Sequence, residues 1–292
     1  DQCPVPGAPP PPDQPTAFSL YPEAVGRYLS VGGSPVLLEG YLREWGTMGE
    51  GSVVQSNTDL TGDGIAEILV ALYDPTTFSP DRPSPGQLLV FGCAQGGYRL
   101  LYATPFSPGN MLPVLRRVGD MNGDTRAELV YSQQSCAGAS CEVAVQVLSW
   151  SAALGVFKPL NELPISASGG KVVIADYDGD GVLEVGIDYN LPMSPASGPT
   201  RPSTDFWDWD GLAYRLAMTQ VGASVYRIHA LHDADMWFAQ EAWDSALRAY
   251  TRVRDDEKLQ GWTNPTEPTM LRAYALYKRI LAQAANGQRT NA

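Results

Sequence analysis

Three acidic segments repeat one another along the chain, and they constrain its fold more than any other feature. They are Asp59-Leu60-Thr61-Gly62-Asp63-Gly64-Ile65-Ala66-Glu67, Asp120-Met121-Asn122-Gly123-Asp124-Thr125-Arg126-Ala127-Glu128 and Asp176-Tyr177-Asp178-Gly179-Asp180-Gly181-Val182-Leu183-Glu184. Their starts lie 61 and 56 residues apart. Each is followed, 39, 37 and 38 residues after its first Asp, by an aromatic just past a Gly turn: Tyr98, Phe157 and Tyr214. Two landmarks at near-constant spacing, three times over, mean one supersecondary unit per repeat. Short apolar runs bounded by Gly, Pro and Ser predict strands, among them Ile68–Leu72, Gln87–Phe91 and Val143–Leu148. Each unit therefore reads as four strands, two around the acidic loop and two around the aromatic turn.

The loops have the chemistry of a hard-cation site. Ca²⁺ takes six to eight oxygens at roughly 2.3–2.6 Å, which a tight loop supplies from alternate positions. Positions 1, 3, 5, 7 (a backbone carbonyl) and 9 are Asp59, Thr61, Asp63, Ile65 and Glu67 in the first loop. They are Asp120, Asn122, Asp124, Arg126 and Glu128 in the second, and Asp176, Asp178, Asp180, Val182 and Glu184 in the third. An EF-hand shares the first five positions but needs Glu at position 12 and flanking helices. Position 12 is Val70, Tyr131 or Ile187, so that reading fails. A metal-free hairpin of Asx turns is the alternative. Against it, the loops hold three, three and four acids in a chain of net charge −12, which three Ca²⁺ would bring to −6. The third loop is the strongest candidate. The first has a neutral Thr61, and the second has Thr125 where the others have the turn glycines Gly64 and Gly181.

These loops and their β flanks resemble the FG-GAP/VCBS repeats of integrin α-subunit propellers and of many secreted bacterial proteins. The resemblance covers roughly residues 50–217; Asp176 to Gly181 is its most specific part, and Phe91-Gly92 is a trace of the family's Phe-Gly signature. It implies β-propeller-like blades with Ca²⁺ in an inter-strand loop. The expected fold is thus mainly β with α: about three four-stranded, propeller-like blades, an N-terminal helix and a C-terminal helical segment.

The flanks divide as a Pro-rich arm over 1–22, a helical cap over 23–49, the three-repeat domain over 50–221 and a helical segment over 222–292. The arm holds eight prolines, including Pro9–Pro12, and is predicted to be extended. It reads either as a plain tail or as an arm lying on another subunit. In the cap, Leu37, Leu38, Tyr41, Leu42 and Trp45 form a helical stripe after Ser34 as N-cap and Pro35. Met193 to Thr204 reads as a long surface loop. The runs Ala234–Phe238 and Ala246–Tyr250 resemble a tetratricopeptide-type helical repeat. A further helix from about Pro268 to Gly287 carries Met270, Tyr274, Tyr277 and Leu281 on one face. Three helices are few for a free solenoid, so they are expected to pack on the blades or on a neighbour.

Four cysteines, Cys3, Cys93, Cys136 and Cys141, point to disulfides. Cys136 and Cys141 bracket four small residues and can clip a hairpin. By elimination Cys3 pairs with Cys93, within or between chains. Zinc lacks a Cys-x-x-Cys or His pair. A start at Asp1 is read as a leader already removed, and a lipoprotein anchor at Cys3 is disfavoured because two residues precede it. No apolar run is long enough to span a bilayer, so the chain is expected to be secreted or at the cell surface. Excess acid disfavours nucleic acid as a partner.

His229 and His232 with Asp233 and Asp235 make a poor zinc pattern, and helix-start packing explains them better. No nucleophile elbow, Cys–His pair or phosphate loop is present. Trp207, Trp209 and Tyr214 could stack on sugars but read better as core. The expected function is a non-catalytic, calcium-stabilised structural or adhesion protein with up to three Ca²⁺. Its partners would be itself or other extracellular proteins and glycans, and the Pro-rich arm raises the prospect of a filament. The rival is a carbohydrate-binding or carbohydrate-active propeller, which needs a cleft with two free carboxylates flanked by tryptophans.

Overall fold

The computed structural model describes residues 3–77, 84–137, 140–189, 193–194, 198–262 and 264–287. The chain forms two compact units, Asp1–Asp188 with Asp205–Thr219, and Tyr189–Thr204 with Gln220–Ala292. The first holds α1 (Tyr21–Ser30), α2 (Pro35–Glu44) and three antiparallel sheets. The first sheet is β1 (Val53–Thr58), β2 (Glu67–Tyr73), β3 (Gly86–Ala94) and β4 (Gly97–Ala103) in that order. The second is β5 (Val114–Gly119), β6 (Glu128–Ala137), β7 (Ser140–Ser151) and β8 (Val156–Pro159), with β9 (Ile165–Ser168) pairing beyond β8 on β7. The third is β10 (Lys171–Ala175), β11 (Glu184–Tyr189), β12 (Ser203–Trp209) and β13 (Tyr214–Val221).

Each repeat thus forms one sheet of consecutively paired strands. The acidic loop joins strands one and two, and the aromatic opens strand four: Tyr98 on β4, Phe157 on β8 and Tyr214 on β13. The second sheet exceeds the expectation by one strand, because Ile165 to Ser168 finds a place along the upper half of the long β7.

Period two places the core on both faces of the first sheet. Ile68, Val70 and Leu72 of β2 and Leu89 and Phe91 of β3 face Val25, Leu29, Leu38 and Leu42 of the helices. The alternate residues Leu69, Ala71, Leu88 and Val90 pack against Leu129, Tyr131, Leu148 and Phe157 of the second sheet. Burial on both faces is why these strands read as unbroken apolar runs. The third sheet joins the second through the Leu183 and Tyr214 amides, which donate to Met121 O (2.9 Å) and Leu160 O (2.8 Å). The buried Tyr214 hydroxyl also donates to Met121 O at 2.9 Å.

The N-terminal boundaries differ from expectation. A short 3₁₀ turn, Phe18–Leu20, leads directly into α1, so the extended arm ends near Ala17 and the cap has two helices. Tyr21, Val25, Tyr28 and Leu29 recur at helical spacing and are buried, a stripe that the prolines before it and Gly26 within it obscure. Gly26 is there for close approach: a Cβ would stand 3.3 Å from the Phe91 ring. In α2, Leu38 and Leu42 are buried, Tyr41 and Trp45 are half-buried, and Leu37 is exposed. Ser34 takes the N-cap position without a side-chain cap hydrogen bond. Its amide donates to Gly7 O at 3.1 Å, and the Gly7 amide donates to Gly32 O at 2.6 Å. The arm, read as either a plain tail or an arm on another subunit, thus lies on its own chain. Cys3–Cys93 closes within the chain and fastens the arm to β3. Cys136–Cys141 clips the β6–β7 hairpin as expected.

The second unit contains α3 (Arg227–Ala239), α4 (Trp243–Asp255) and α5 (Glu267–Ala285). Ala230, Ala234, Ala246 and Ala275 let the helices approach, and the fully buried Tyr250 fills between them. Arg227 is almost fully buried. Its guanidinium donates to Val253 O, and to Asp256 O (2.8 Å) and Leu259 O (3.2 Å), satisfying carbonyls at the end of α4. The segment read as a surface loop belongs to this unit. Arg201 pairs with Asp233 at 2.6 Å, and Pro199 O meets His229 Nε2 at 2.8 Å; residues 195–197 of that reading lie outside the described residues. No helix is long and apolar enough to cross a membrane among the described residues.

Candidate metal centres

The three loops share one hydrogen-bond plan. The Asp at position 1 accepts from the amides at positions 4 and 6. Asp59 takes Gly62 and Gly64, both at 2.7 Å, and Asp120 takes Gly123 and Thr125, both at 2.8 Å. Asp176 takes Gly179 at 2.6 Å and Gly181 at 3.1 Å. The Asp at position 5 accepts from the amide at position 7: Asp63 from Ile65, Asp124 from Arg126 and Asp180 from Val182, each at 2.8 Å. At position 3, Asn122 and Asp178 accept from the amides of Asp124 and Asp180, both at 3.1 Å.

Positions 4 and 6 need the left-handed region. Gly64 and Gly181 occupy it at position 6 with φ of 86° and 90°. Thr125 is forced there too, at φ 71°, a conformation a β-branched residue resists.

The Glu at position 9 opens the second strand of each sheet and is buried. Its Oε2 accepts from the amide at position 2, Leu60 (2.6 Å), Met121 (3.0 Å) or Tyr177 (2.6 Å), and so ties the loop to the sheet. Its Oε1 separates the loops. In the first it accepts from Thr61 Oγ1 at 3.1 Å, and in the second from Ser149 Oγ at 3.1 Å. In the third, Glu184 Oε1 is buried with no hydrogen-bond partner. A buried, unsatisfied carboxylate oxygen carries a high desolvation cost.

The clusters are compact. Carboxylate oxygens of Asp176, Asp178, Asp180 and Glu184 lie within 4.8 Å of one another, as do those of Asp59, Asp63 and Glu67, and of Asp120, Asp124 and Glu128. These are the acids read from the sequence, brought together in all three repeats. Burial pushes the carboxyl groups of Glu67, Glu128 and Glu184 above the usual range, against the pull of their amide donors, and neighbouring Asp residues push the same way. A divalent cation would reverse both effects. The donor set, all hard oxygen, fits Ca²⁺, and best at the third loop where one oxygen lacks a partner.

Two participants were not legible in the sequence. Ser149 lies beside Glu128 across the β6–β7 ladder, which pairs Leu129 with Leu148 one step away. On β12, next to β11, the carboxyl of Asp208 is raised by burial and then by Asp178 and Asp180. It sets a further acid near the third loop, outside the cluster of four. Only cross-strand register reveals either residue.

The other candidates resolve otherwise. His229 meets a backbone carbonyl, Asp233 is held by Arg201 and by Ser224 Oγ (2.5 Å), and Asp235 accepts from the Tyr250 hydroxyl at 2.5 Å. These groups serve packing rather than a zinc site. Tyr214 is core, with Trp209 against its ring at 5.5 Å. A crevice of about 190 Å³ lies between the first two loops, lined by Asp59, Thr61, Arg126, Ser149 and Trp150 among others. It is smaller than ordinary ligand pockets of about 300–1,000 Å³. Its one carboxylate already serves the first loop.

No family model, curated protein or solved structure matches the chain.

Proposed function

We propose that the chain is a secreted, calcium-stabilised structural or adhesion protein without catalysis, built of FG-GAP/VCBS-like blades and a tetratricopeptide-like helical unit. The observation that carries the reading is the third loop: four clustered carboxylates, one of them the buried Glu184, whose Oε1 has no protein partner. Calcium would be held by Asp176, Asp178, Asp180 and Glu184, and in the same way by Asp59, Asp63 and Glu67, and by Asp120, Asp124 and Glu128. Bound there, it would neutralise acids at the turn of every sheet and lock the strands on either side. The other proposed ligands, Thr61, Asn122 and the carbonyls of Ile65, Arg126 and Val182, belong to the same turns. Two disulfides fit an oxidising compartment.

Native mass spectrometry and thermal unfolding test the reading together. Calcium should add up to three ions and raise the melting temperature, and Asp178→Ala should remove one ion. A melting curve identical in calcium and in EGTA, with no bound metal, would overturn it.

A further inference from the structure

Among the described residues, the outer face of α5 is left exposed. Met270, Tyr274, Tyr277, Ile280 and Leu281 are 64%, 42%, 57%, 40% and 38% exposed. Ala273 and Ala284 lie exposed beside them. The opposite side of the same helix, with Leu271 and Ala275, packs on α3 and α4. At 100° per residue, Met270, Tyr274, Tyr277 and Leu281 form one narrow stripe, and no charged residue lies within it.

The spacing of that stripe is 4, 3, 4, which reads the same in both directions. A two-fold axis at its midpoint sets Met270 against Leu281 of a second copy, and Tyr274 against the second copy's Tyr277. These are the alternating core layers of an antiparallel helix pair. The same axis sets Lys278 opposite the second copy's Ala273 and Glu267 opposite its Ala284, so no like charges meet. Nor is any charge buried without a partner.

Taking roughly 200 Å² for a large side chain, the face offers roughly 500 Å² per copy, and a pair would bury about 1,000 Å². That is the size of a weak, transient interface, and the patch on each copy lies within the roughly 300–600 Å² of apolar patches that are often functional. We infer that α5 is a homodimer interface, in which two chains pair their Met270–Tyr274–Tyr277–Leu281 stripes antiparallel about a two-fold axis. Affinity should be modest, with a Kd on the order of micromolar. Because each chain carries a net charge of −12, salt should strengthen the pair by screening mutual repulsion. An isologous contact closes on itself and ends assembly at two.

Sedimentation equilibrium of the full chain from about 1 to 200 µM, in about 0.05 and 0.5 M NaCl, gives the first test. The expected result is a concentration-dependent dimer, tighter at high salt and present both in calcium and in EGTA. Tyr277→Glu should weaken it at least 50-fold while the far-ultraviolet circular dichroism stays unchanged, since the ring is largely exposed. Register gives the second test. The native cysteines are all paired, so new thiols report cleanly. Met270→Cys/Leu281→Cys should form disulfide-linked dimers under mild oxidation, and either single change alone should not. A monomer at every concentration would leave the face to a different protein and overturn the proposal. So would a Tyr277→Glu dimer of undiminished affinity, assembly beyond two, or cross-linking by Met270→Cys alone.

Discussion

Replacing Glu184 by Gln separates the two roles of this carboxylate. One oxygen accepts from the Tyr177 amide at 2.6 Å, and the other is buried without a partner. Gln keeps the first role through its carbonyl and replaces the second oxygen by an amide nitrogen beside Asp176 and Asp178, which cannot ligate a cation. Extracellular-type calcium sites have a Kd on the order of 10⁻⁴ M or weaker. At about 10 mM calcium, native-only binding at the tighter end adds about 2.7 kcal/mol per site. For a unit of about 200 residues, that is about 5–10 °C in melting temperature. The variant should lose that share of the calcium-dependent shift. Without calcium it should melt at or above the wild-type temperature, because a buried charge among Asp176, Asp178 and Asp208 is gone. The assay is differential scanning calorimetry of both proteins in calcium and in EGTA. The reasoning is refuted if Glu184→Gln keeps the full calcium shift, or if its metal-free form is destabilised as much as its calcium-loaded form.

Thr125→Gly should stabilise the protein by about 1 kcal/mol or slightly less, since it removes a left-handed β-branched residue but adds chain entropy to the unfolded state; chemical denaturation reads this, and a loss of stability would contradict it. Cys3–Cys93 spans 90 residues and Cys136–Cys141 spans 5, so loop entropy assigns about 4.6 kcal/mol to the first and about 2 kcal/mol to the second. Paired Cys→Ser variants should therefore differ in midpoint, the Cys3/Cys93 pair falling further, and the reverse order would count against that assignment. Burial raises the Asp233 carboxyl, but hydrogen bonds from Arg201 and Ser224, with nearby arginine charge, hold it below its usual value of 3.8 on balance. Its contribution is thus present above the unfolded pKa and lost as pH falls through the lower folded value. Asp233→Asn should destabilise at neutral pH and converge on wild type as pH falls through the lowered folded pKa, and a constant gap between the two curves would exclude the ion pair as the cause.

The acidic loops were legible because their chemistry is local. Asp at positions 1 and 5 and Gly at position 4 recur in one stretch, and each makes its hydrogen bonds within that stretch. The four-strand plan followed from the second landmark, the aromatic after the Gly turn. What stayed hidden depends on partners remote in sequence. Ser149 and Asp208 reach the loops only through strand register, and Arg227 finds its carbonyls more than twenty residues on. Helix α1 was hidden for another reason: Pro22 reads as part of the proline arm until it is seen as a first-turn residue, where its missing N–H costs nothing. On α5 the apolar stripe was visible but its direction was not. Periodicity gives a face without saying which neighbour it meets, and here the small Ala275 and Ala282, not the large Tyr274 and Tyr277, are buried.

The first sheet is apolar on both faces, and helices cover one of them. Each face of its two central strands is apolar, so an uncovered face would expose Ile68, Val70, Leu72, Leu89 and Phe91 together. Here α1 and α2 cover it with the buried residues Tyr21, Val25, Tyr28, Leu29, Leu38 and Leu42, joined by Phe18 of the turn before α1. Such a cap must not drift, because two short helices of ten residues each have little stability of their own. Three attachments hold it. Cys3 is bonded to Cys93 on β3, Gly7 pairs with Gly32 and Ser34 between the helices, and Ser30 Oγ accepts from the Tyr98 amide on β4 at 2.8 Å. The proline arm is therefore the strap of the cap. Its extended, donor-poor backbone crosses the surface without requiring a strand partner along its length, and its cysteine anchors the far end where a hydrogen-bonded strand could not.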